Sequence, residues 1–239
     1  MTHLRKGPRS SKSLRYAVLA IIFLLPFAVF ATETDLVRGV CFTSPELVNG
    51  VPPGWILDRK AGTVNIRLEK EQEGFALRLA SDHHSAFGIK RPLKVDIRQY
   101  PFLNWRWKAV RLPQGGDVRD SDLDDQAIQI YVAFPPLGFP ERLNTPVLGY
   151  VWDNEAPRGW TGRSDQFGGA KMRYVVVRNK ADRLGEWYTE KRNLHQDVQA
   201  LFGDLKISSI TRGIELYINS QNTKTAAEAY IADLFFSRN

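Results

Sequence analysis

The stretch DSDLDDQAIQIYVAFP (residues 120–135) contains the polar-to-apolar junction from which the fold can be worked out. Four aspartates fall within its first six residues, and apolar and polar residues alternate after them. Because successive side chains of a β-strand point to opposite faces, this alternation predicts a half-buried strand. The even positions from 128 to 134 form its apolar face. The odd positions form a polar and aromatic face that includes Asp125, Gln129 and Tyr131.

The same period of two recurs in other short segments that are rich in Val, Ile, Tyr, Phe or Trp. Besides 127–134, these segments are 75–80, 87–97, 102–111, 147–153, 172–178, 184–192, 210–219 and 228–236. In 102–111, Trp105 and Trp107 point to the side opposite Arg106, so both tryptophans are expected in the core. In 210–219, Glu215 and Tyr217 lie opposite an apolar row.

One segment favours a helix. Asn193 can cap LHQDVQALF, and Gly203 follows as a stop signal. Nine strands with one or two short helices predict an all-β fold, an antiparallel β-sandwich of jelly-roll type. No internal repeat or linker divides the chain, so residues 32–239 are expected to form a single domain.

The first 31 residues have the layout of a secretory signal peptide. Five basic residues precede an apolar run over 16–30, and Val29 and Ala31 are small residues suited to a cleavage site. We therefore expect an exported, periplasmic protein. An uncleaved anchor is the alternative, but the run is shorter than the roughly 20 residues that span a bilayer. After cleavage no stable membrane span is expected.

The net charge gives little support for a nucleic-acid partner. The chain has 33 basic and 26 acidic residues, which gives +7, but five of the basic residues lie in the signal segment. The remaining chain therefore carries 28 − 26 = +2, and we expect no nucleic-acid binding. A single cysteine, Cys41, excludes an internal disulfide.

The aspartate cluster raises the question of a metal site. Asp120, Asp122 and Asp124 match the first ligands of an EF-hand loop, but Asp125 and Tyr131 occupy the positions that require Gly and Glu. A strand, rather than a helix, also follows. Zinc motifs of Cys and His are lacking. We therefore expect no cofactor, although calcium held by several loops together stays open as an alternative.

A catalytic carboxylate pair is a second interpretation of the acidic residues. It would join Asp124 or Asp125 to Glu190, Glu215 or Glu228 across a cleft, as in glycosidases. No nucleophile elbow, zinc-protease motif, phosphate loop or dinucleotide fingerprint accompanies them. The sequence therefore leans against an enzyme without deciding the matter.

A third interpretation is a ligand-binding sheet face. Asp125 begins one polar face and Arg106 lies on another, so a contact between them is expected if their strands are neighbours. Trp152 precedes the turn-rich DNEAPRG and is a candidate for stacking on a sugar ring. The residues expected on or near one ligand-binding face are Arg106, Asp125, Gln129, Tyr131, Trp152, Glu215, Tyr217 and Asn222.

Several segments together resemble the family called domain of unknown function 3047. They are YPFLNWRWKAVRLPQGGD (100–117), DDQAIQIYVAF (124–134), YVWD (150–153), RYVVVRN (173–179), LGEWYTEKRNLHQDVQALFG (184–203) and INSQNTKTAAEAYIADLFF (218–236). The resemblance covers roughly residues 40–238 and implies an exported bacterial protein, but no activity. The final strand is also similar to that of galactose-binding-like jelly rolls, which include carbohydrate-binding modules, at the level of fold alone.

These observations lead to one main functional hypothesis and two alternatives. The main hypothesis is an exported, non-catalytic binding protein for a carbohydrate or another cell-envelope ligand. The alternatives are an envelope polysaccharide hydrolase with paired carboxylates, and a structural or partner-binding envelope protein. The sequence carries no signal for an oligomeric state.

Overall fold

The structure is a computed structural model that describes Met1 and residues 36–239, apart from residues 41, 72–73, 165–170 and 204. The predicted signal peptide beyond Met1 and the single cysteine, Cys41, lie outside the described residues. All described strands and helices belong to one compact unit, Thr34–Asn239.

The described part of this unit contains thirteen strands and two short helices. In chain order they are β1 Leu36–Val40, β2 Ile56–Ala61, β3 Ile66–Lys70, β4 Phe75–Ser81, β5 Ala86–Pro92, β6 Phe102–Arg111, β7 Ile128–Ala133, α1 Glu141–Asn144, β8 Val147–Trp152, β9 Thr161–Arg163, β10 Met172–Arg178, β11 Tyr188–Asn193, α2 Leu194–Leu201, β12 Gly213–Asn219 and β13 Ala227–Ser237. All nine predicted strands and the predicted helix are present.

The strands form two sheets. The six-stranded sheet has the order β11-β6-β13-β4-β3, and β1 also pairs with β13. The seven-stranded sheet has the order β2-β5-β12-β7-β8-β10-β9. The described pairs are antiparallel except β8 and β10, which run parallel. The chain changes sheet after β1, β2, β4, β5, β6, β10, β11 and β12. The predicted all-β sandwich with one or two short helices is therefore confirmed.

The two sheets pack through large aromatic side chains. Trp105 and Trp107 of β6 are buried, and each faces a buried ring from β8. The ring centroids of Trp105 and Tyr150 are 5.3 Å apart, and those of Trp107 and Trp152 are 5.6 Å apart. Buried aromatic pairs at this spacing combine apolar burial with favourable ring geometry. The core placement predicted for Trp105 and Trp107 is confirmed.

Helix α2 begins and ends where the sequence predicts. The side chain of Asn193 accepts a hydrogen bond from the backbone N–H of Gln196 at 3.0 Å, as a helix cap does. Asp197 then ties the helix to the seven-stranded sheet, because its carboxylate accepts from the Tyr150 hydroxyl at 2.7 Å. Within the described part of the chain, neither helix has the length and apolar character required to cross a membrane.

Candidate functional site

A pocket of about 620 Å³ lies on the face of the seven-stranded sheet that points away from the core. This volume falls in the range typical of small-ligand sites. The alternation in β7 and β12 explains its position, because Ile130 and Leu216 point into the core while Tyr131 and Tyr217 point into the pocket. Its walls come from β2, β5, β7, β8, β10 and β12 and from the segments that precede β7 and follow β12.

Three tyrosines form a row across the floor of this pocket. Tyr131 of β7 lies between Tyr217 of β12 and Tyr174 of β10, with ring centroids 6.1 and 6.4 Å away. Tyr174 and Tyr217 are buried, whereas Tyr131 is partly exposed. Burial raises the pKa of Tyr174 and of Tyr217 above the usual value, so both phenols stay protonated and can donate hydrogen bonds.

Two glycines make room for this row. A Cβ on Gly149 of β8 would lie 2.8 Å from Cε1 of Tyr131 and 3.0 Å from Cδ1 of Tyr174. A Cβ on Gly88 of β5 would lie 2.7 Å from Cδ2 of Tyr217. Since these separations are shorter than ordinary carbon contacts, the strands that flank the tyrosines need glycine for the rings to lie where they do.

One end of the pocket is lined by side-chain amides. Nε2 of Gln129 donates to Oδ1 of Asn219 at 2.5 Å, and Nδ2 of Asn219 donates to the backbone carbonyl of Asp124 at 2.6 Å. Oε1 of Gln221 is buried and has no hydrogen-bond partner among the described residues. An unmatched buried polar atom is costly in a protein interior. Gln221 lines the pocket, so a ligand that donates a hydrogen bond there would satisfy this acceptor.

The other end of the pocket carries charge. Glu215 of β12 lies opposite Lys90 of β5 and opposite Tyr131 of β7 in the sheet register. Lys90 donates to Asp58 at 2.7 Å, and Nζ of Lys60 lies 3.4 Å from the same carboxylate. Burial and the neighbouring Asp58 raise the pKa of Glu215 to about 7, against the attraction of the two lysines.

This raised pKa makes the stability of the protein depend on pH. An unfolded Glu215 would lose its proton near its ordinary pKa of 4.5, whereas the folded one keeps it to about 7. The folded state therefore binds more protons between these values, and the stability that Glu215 contributes decreases as the pH rises through this window. We expect Glu215→Gln to gain stability relative to the unmutated protein between pH 4.5 and 7. Urea denaturation at several pH values measures this, and parallel curves for the two proteins would refute it.

Four of the residues expected at a binding face line this pocket together, namely Gln129, Tyr131, Glu215 and Tyr217. They come from the adjacent strands β7 and β12, which pair in the register Tyr131 opposite Glu215 and Gln129 opposite Tyr217. The period of two assigned each of them to the polar face, and the pairing of the two strands brings them together.

The expected contact between Arg106 and Asp125 does not form. Arg106 lies on β6 of the six-stranded sheet, whereas Asp125 precedes β7 of the seven-stranded sheet, so their strands are not neighbours. Arg106 instead donates to Asp233 at 2.7 Å, with its guanidinium 5.0 Å from the centre of the Trp187 ring. It therefore lies on the opposite outer face of the sandwich, away from the pocket.

Asp125 is a buried structural carboxylate. Its Oδ2 accepts from the backbone N–H of Thr223 at 2.6 Å and from the Thr223 hydroxyl at 2.8 Å. Its Oδ1 is buried and has no partner among the described residues. The pocket lining does not include Asp125. The carboxylate instead fastens the loop after β12, through Thr223, to the segment that precedes β7.

Trp152 and Asn222 also lie outside the pocket lining. Trp152 is 0% exposed and packs in the core, so its interpretation as a sugar-stacking side chain is wrong. Asn222 donates to the backbone carbonyl of Ser121 at 3.1 Å and so joins the loop after β12 to the loop before β7. Its neighbour Gln221, rather than Asn222, lines the pocket.

The four aspartates of the opening stretch separate into two pairs. Asp120 and Asp122 are exposed, and Oδ1 of Asp120 accepts from the backbone N–H of Asp122 at 2.9 Å. Asp124 is buried and lines the pocket. Across the described ranges, no group of three or more His, Cys, Asp or Glu side chains is arranged to hold a metal ion.

The carboxylates proposed as catalytic partners are mostly engaged elsewhere. Oε1 of Glu190 accepts from Arg178 at 2.5 Å, and Oε1 of Glu228 accepts from Arg78 at 2.8 Å. Both glutamates belong to the six-stranded sheet. Glu215 is the one of the three that lines the pocket.

Sequence reasoning missed several residues of the pocket, including Lys60, Lys90, Tyr174 and Gln221. Gln221 continues the alternation of Glu215, Tyr217 and Asn219 by one further step, so extending the pattern past the strand end would have found it. Tyr174 could be placed in the pocket only with the knowledge that β10 lies beside β8 in the same sheet.

Two solved structures that resemble this chain share little sequence with it. A family 11 carbohydrate-binding module from Clostridium thermocellum, in complex with a β-1,3-1,4-mixed-linked tetrasaccharide, is 9% identical and has a TM-score of 0.43, over 86% of this chain and 97% of that one. The xyloglucanase domain of NopAA, a type three effector from Sinorhizobium fredii, in complex with cellobiose, is 9% identical with a TM-score of 0.43, over 76% and 90%. These values are too low to transfer a ligand or an activity.

No curated protein sequence matches the chain. The family model described as "Protein of unknown function (DUF3047)" matches residues 54–235. This match includes every strand of the pocket and confirms the family resemblance noted in the sequence. The chain therefore belongs to the DUF3047 family.

Proposed function

We propose that this protein is an exported, non-catalytic binding protein that holds a carbohydrate in the pocket of the seven-stranded sheet. The observation that carries the proposal is the row of Tyr217, Tyr131 and Tyr174 beside the amides of Gln129 and Asn219. Sugars present apolar ring faces and many hydroxyl groups, so they suit a site that combines aromatic rings with hydrogen-bonding side chains.

The amide end of the pocket supports this proposal. Hydrogen-bonding side chains that are held by one another are already oriented before a ligand arrives, which lowers the entropic cost of binding. Gln129, Asn219 and Asp124 form such a connected set. The unmatched Oε1 of Gln221 adds an acceptor that a sugar hydroxyl satisfies.

The experiment for this proposal is a glycan array followed by calorimetric titration. We expect at least one glycan to bind, with an affinity that a chelator of divalent cations leaves unchanged because the proposed contacts are side chains alone. A silent array with the folded, secreted protein would overturn the proposal. Loss of binding on chelation would assign calcium to the site instead.

A hydrolase is the second candidate function, because Glu215 combines a pocket position with a pKa of about 7, which suits a general acid. The other carboxylates near Glu215 argue against it. Asp58, which adds to the raised pKa of Glu215, is paired with Lys60 and Lys90. Asp124, the other carboxylate on the pocket wall, accepts from Gln126 at 2.9 Å. Incubation of the protein with each bound glycan, followed by an assay for new reducing ends, separates the two functions. The binding proposal predicts none.

Export is part of the proposal and has its own test. The basic and apolar N-terminal segment supports cleavage after Ala31. Mass spectrometry of the protein from cell-envelope extracts is expected to find Thr32 as its first residue, in the periplasmic fraction. An intact N-terminus in the membrane fraction would indicate the uncleaved anchor.

A further inference from the structure

The charged end of the pocket contains more positive than negative groups. Lys60 of β2 and Lys90 of β5 share one carboxylate, that of Asp58. The two lysine side chains are 62% and 48% exposed, and each ammonium has three donors. A single carboxylate cannot satisfy both, so hydrogen-bonding capacity and positive charge are left over at this end.

Glu215 does not cancel this excess. Its pKa of about 7 leaves it largely protonated in mildly acidic solution. The titratable groups that face it from its own and neighbouring strands are Asp58, Lys60, Lys90, Tyr131 and Tyr217. The tyrosines stay neutral, so two lysines and Asp58 then leave this cluster with a charge of about +1.

Arg212 extends the positive surface along the pocket wall. Its guanidinium lies 2.8 Å from Glu141, and the two side chains are 49% and 59% exposed. Exposed ion pairs of this kind contribute little stability, because solvent screens them. Arg212 can therefore exchange Glu141 for an anionic group of a ligand at small cost.

The two ends of the pocket thus differ in chemistry. Gln129, Asn219 and Gln221 present amides from β7, β12 and the segment after β12, whereas Lys60 and Lys90 present ammonium groups from β2 and β5. The lysines lie on one side of β12, and the tyrosine row runs from β12 to β10 on the other. A neutral sugar chain would use the amides and the rings but would bring no negative charge to the lysines beyond that of Asp58.

We propose that the pocket selects anionic saccharides, with the acidic group of one sugar at the pair Lys60 and Lys90 and the adjoining rings over the tyrosine row. This inference rests on the proposed carbohydrate binding and narrows its ligand class. A uronic acid carboxylate and a sulfate ester share the required charge, so both belong to this class.

The test uses an array of matched glycans in which each backbone is present in neutral, uronic acid and sulfated forms. We expect an acidic form to bind at least about tenfold more tightly than its neutral counterpart, a difference of about 1.4 kcal/mol. Whichever acidic form binds identifies the group. Neutral forms that bind equally well or better would overturn this inference and leave the proposed function intact. A silent array would overturn both.

Substitution of the two lysines tests where the acidic group of the glycan binds. We expect the double variant Lys60→Gln with Lys90→Gln to lose the preference for the acidic glycan while it keeps the affinity for the neutral one. The double variant Lys70→Gln with Lys191→Gln, an equal loss of two charges on the six-stranded sheet, is the matched control and is expected to keep the preference. Equal effects of the first double variant on both glycans would contradict the assignment.

The pH dependence supplies a second readout. Binding of the acidic glycan is expected to weaken between about pH 6 and about pH 8, as Glu215 loses its proton and places a negative charge beside the ligand. Glu215→Gln is expected to bind the acidic glycan with little change across this range. Since a fold defect would not alter the pH profile in this way, a profile shared by both proteins would count against the inference.

Discussion

Replacement of Trp152 by alanine is expected to lower the free energy of unfolding by about 3–5 kcal/mol, the usual cost of removing a large buried aromatic side chain. Trp152 is fully buried, and its ring centroid lies 5.6 Å from that of Trp107 and 5.5 Å from that of Tyr188. Its loss leaves a cavity between the two sheets that the surrounding rings cannot fill. Urea denaturation followed by tryptophan fluorescence and circular dichroism measures the change.

Trp160→Ala is the control for this substitution, because Trp160 is partly exposed and packs at the margin of the sandwich. We expect it to cost much less stability than Trp152→Ala. Similar losses in the two variants would contradict the core assignment. So would a Trp152→Ala protein that remains fully stable but no longer binds glycan, because Trp152 would then be a ligand contact.

Replacement of Tyr131 by alanine is expected to weaken glycan binding by about tenfold or more, which corresponds to at least about 1.4 kcal/mol. Tyr131 is the central ring of the tyrosine row and the most exposed of the three. Its removal leaves a gap between Tyr217 and Tyr174 and takes away the aromatic surface in the middle of the pocket. Calorimetric titration with the glycan that binds most tightly measures this effect.

The matched control is Tyr230→Ala, which removes a tyrosine from the outer face of the six-stranded sheet. Tyr230 lies beside Trp187 there, with ring centroids 6.4 Å apart. We expect this variant to bind the glycan as the unmutated protein does. Loss of affinity in Tyr230→Ala, with full affinity in Tyr131→Ala, would place the ligand on the six-stranded sheet and would contradict the proposal.

The faces of β7 and β12 were predictable because both strands alternate strictly over their whole length. Each strand has an apolar row on one face, opposite Gln129 and Tyr131 in β7 and opposite Glu215 and Tyr217 in β12. When one face of the sheet is buried, only one orientation of each strand places its apolar row in the core. The same rule applies to Trp152. It shares the parity of Leu148 and Tyr150, both buried, so the alternation places it in the core even though a turn-rich segment follows it.

The neighbours of each strand were not predictable from the sequence. Arg106 lies on the outer face that alternation assigns, but its strand and the segment that carries Asp125 belong to different sheets. The pairing of strands distant in sequence depends on the packing of the whole core, which a local pattern does not contain. Tyr174 joined the pocket for the same reason, since β10 pairs with β8 in parallel.

Strand β2 was missed because it is a largely exposed strand at the edge of the seven-stranded sheet, with no apolar row for the period of two to reveal. Its residues Asp58 and Lys60 complete the charged end of the pocket. The sequence therefore indicated the aromatic and amide parts of the site but not the cationic part. That part depends on an edge strand, and it determines the ligand class that we infer.

The most direct test of the central claim is to map the bound glycan by NMR chemical-shift changes in the labelled protein. With the glycan that binds most tightly in the array, we predict the largest changes at the backbone amides of Gln129, Tyr131, Glu215, Tyr217 and Asn219. Changes that cluster instead on the six-stranded sheet, around Arg106 and Trp187, would contradict the account.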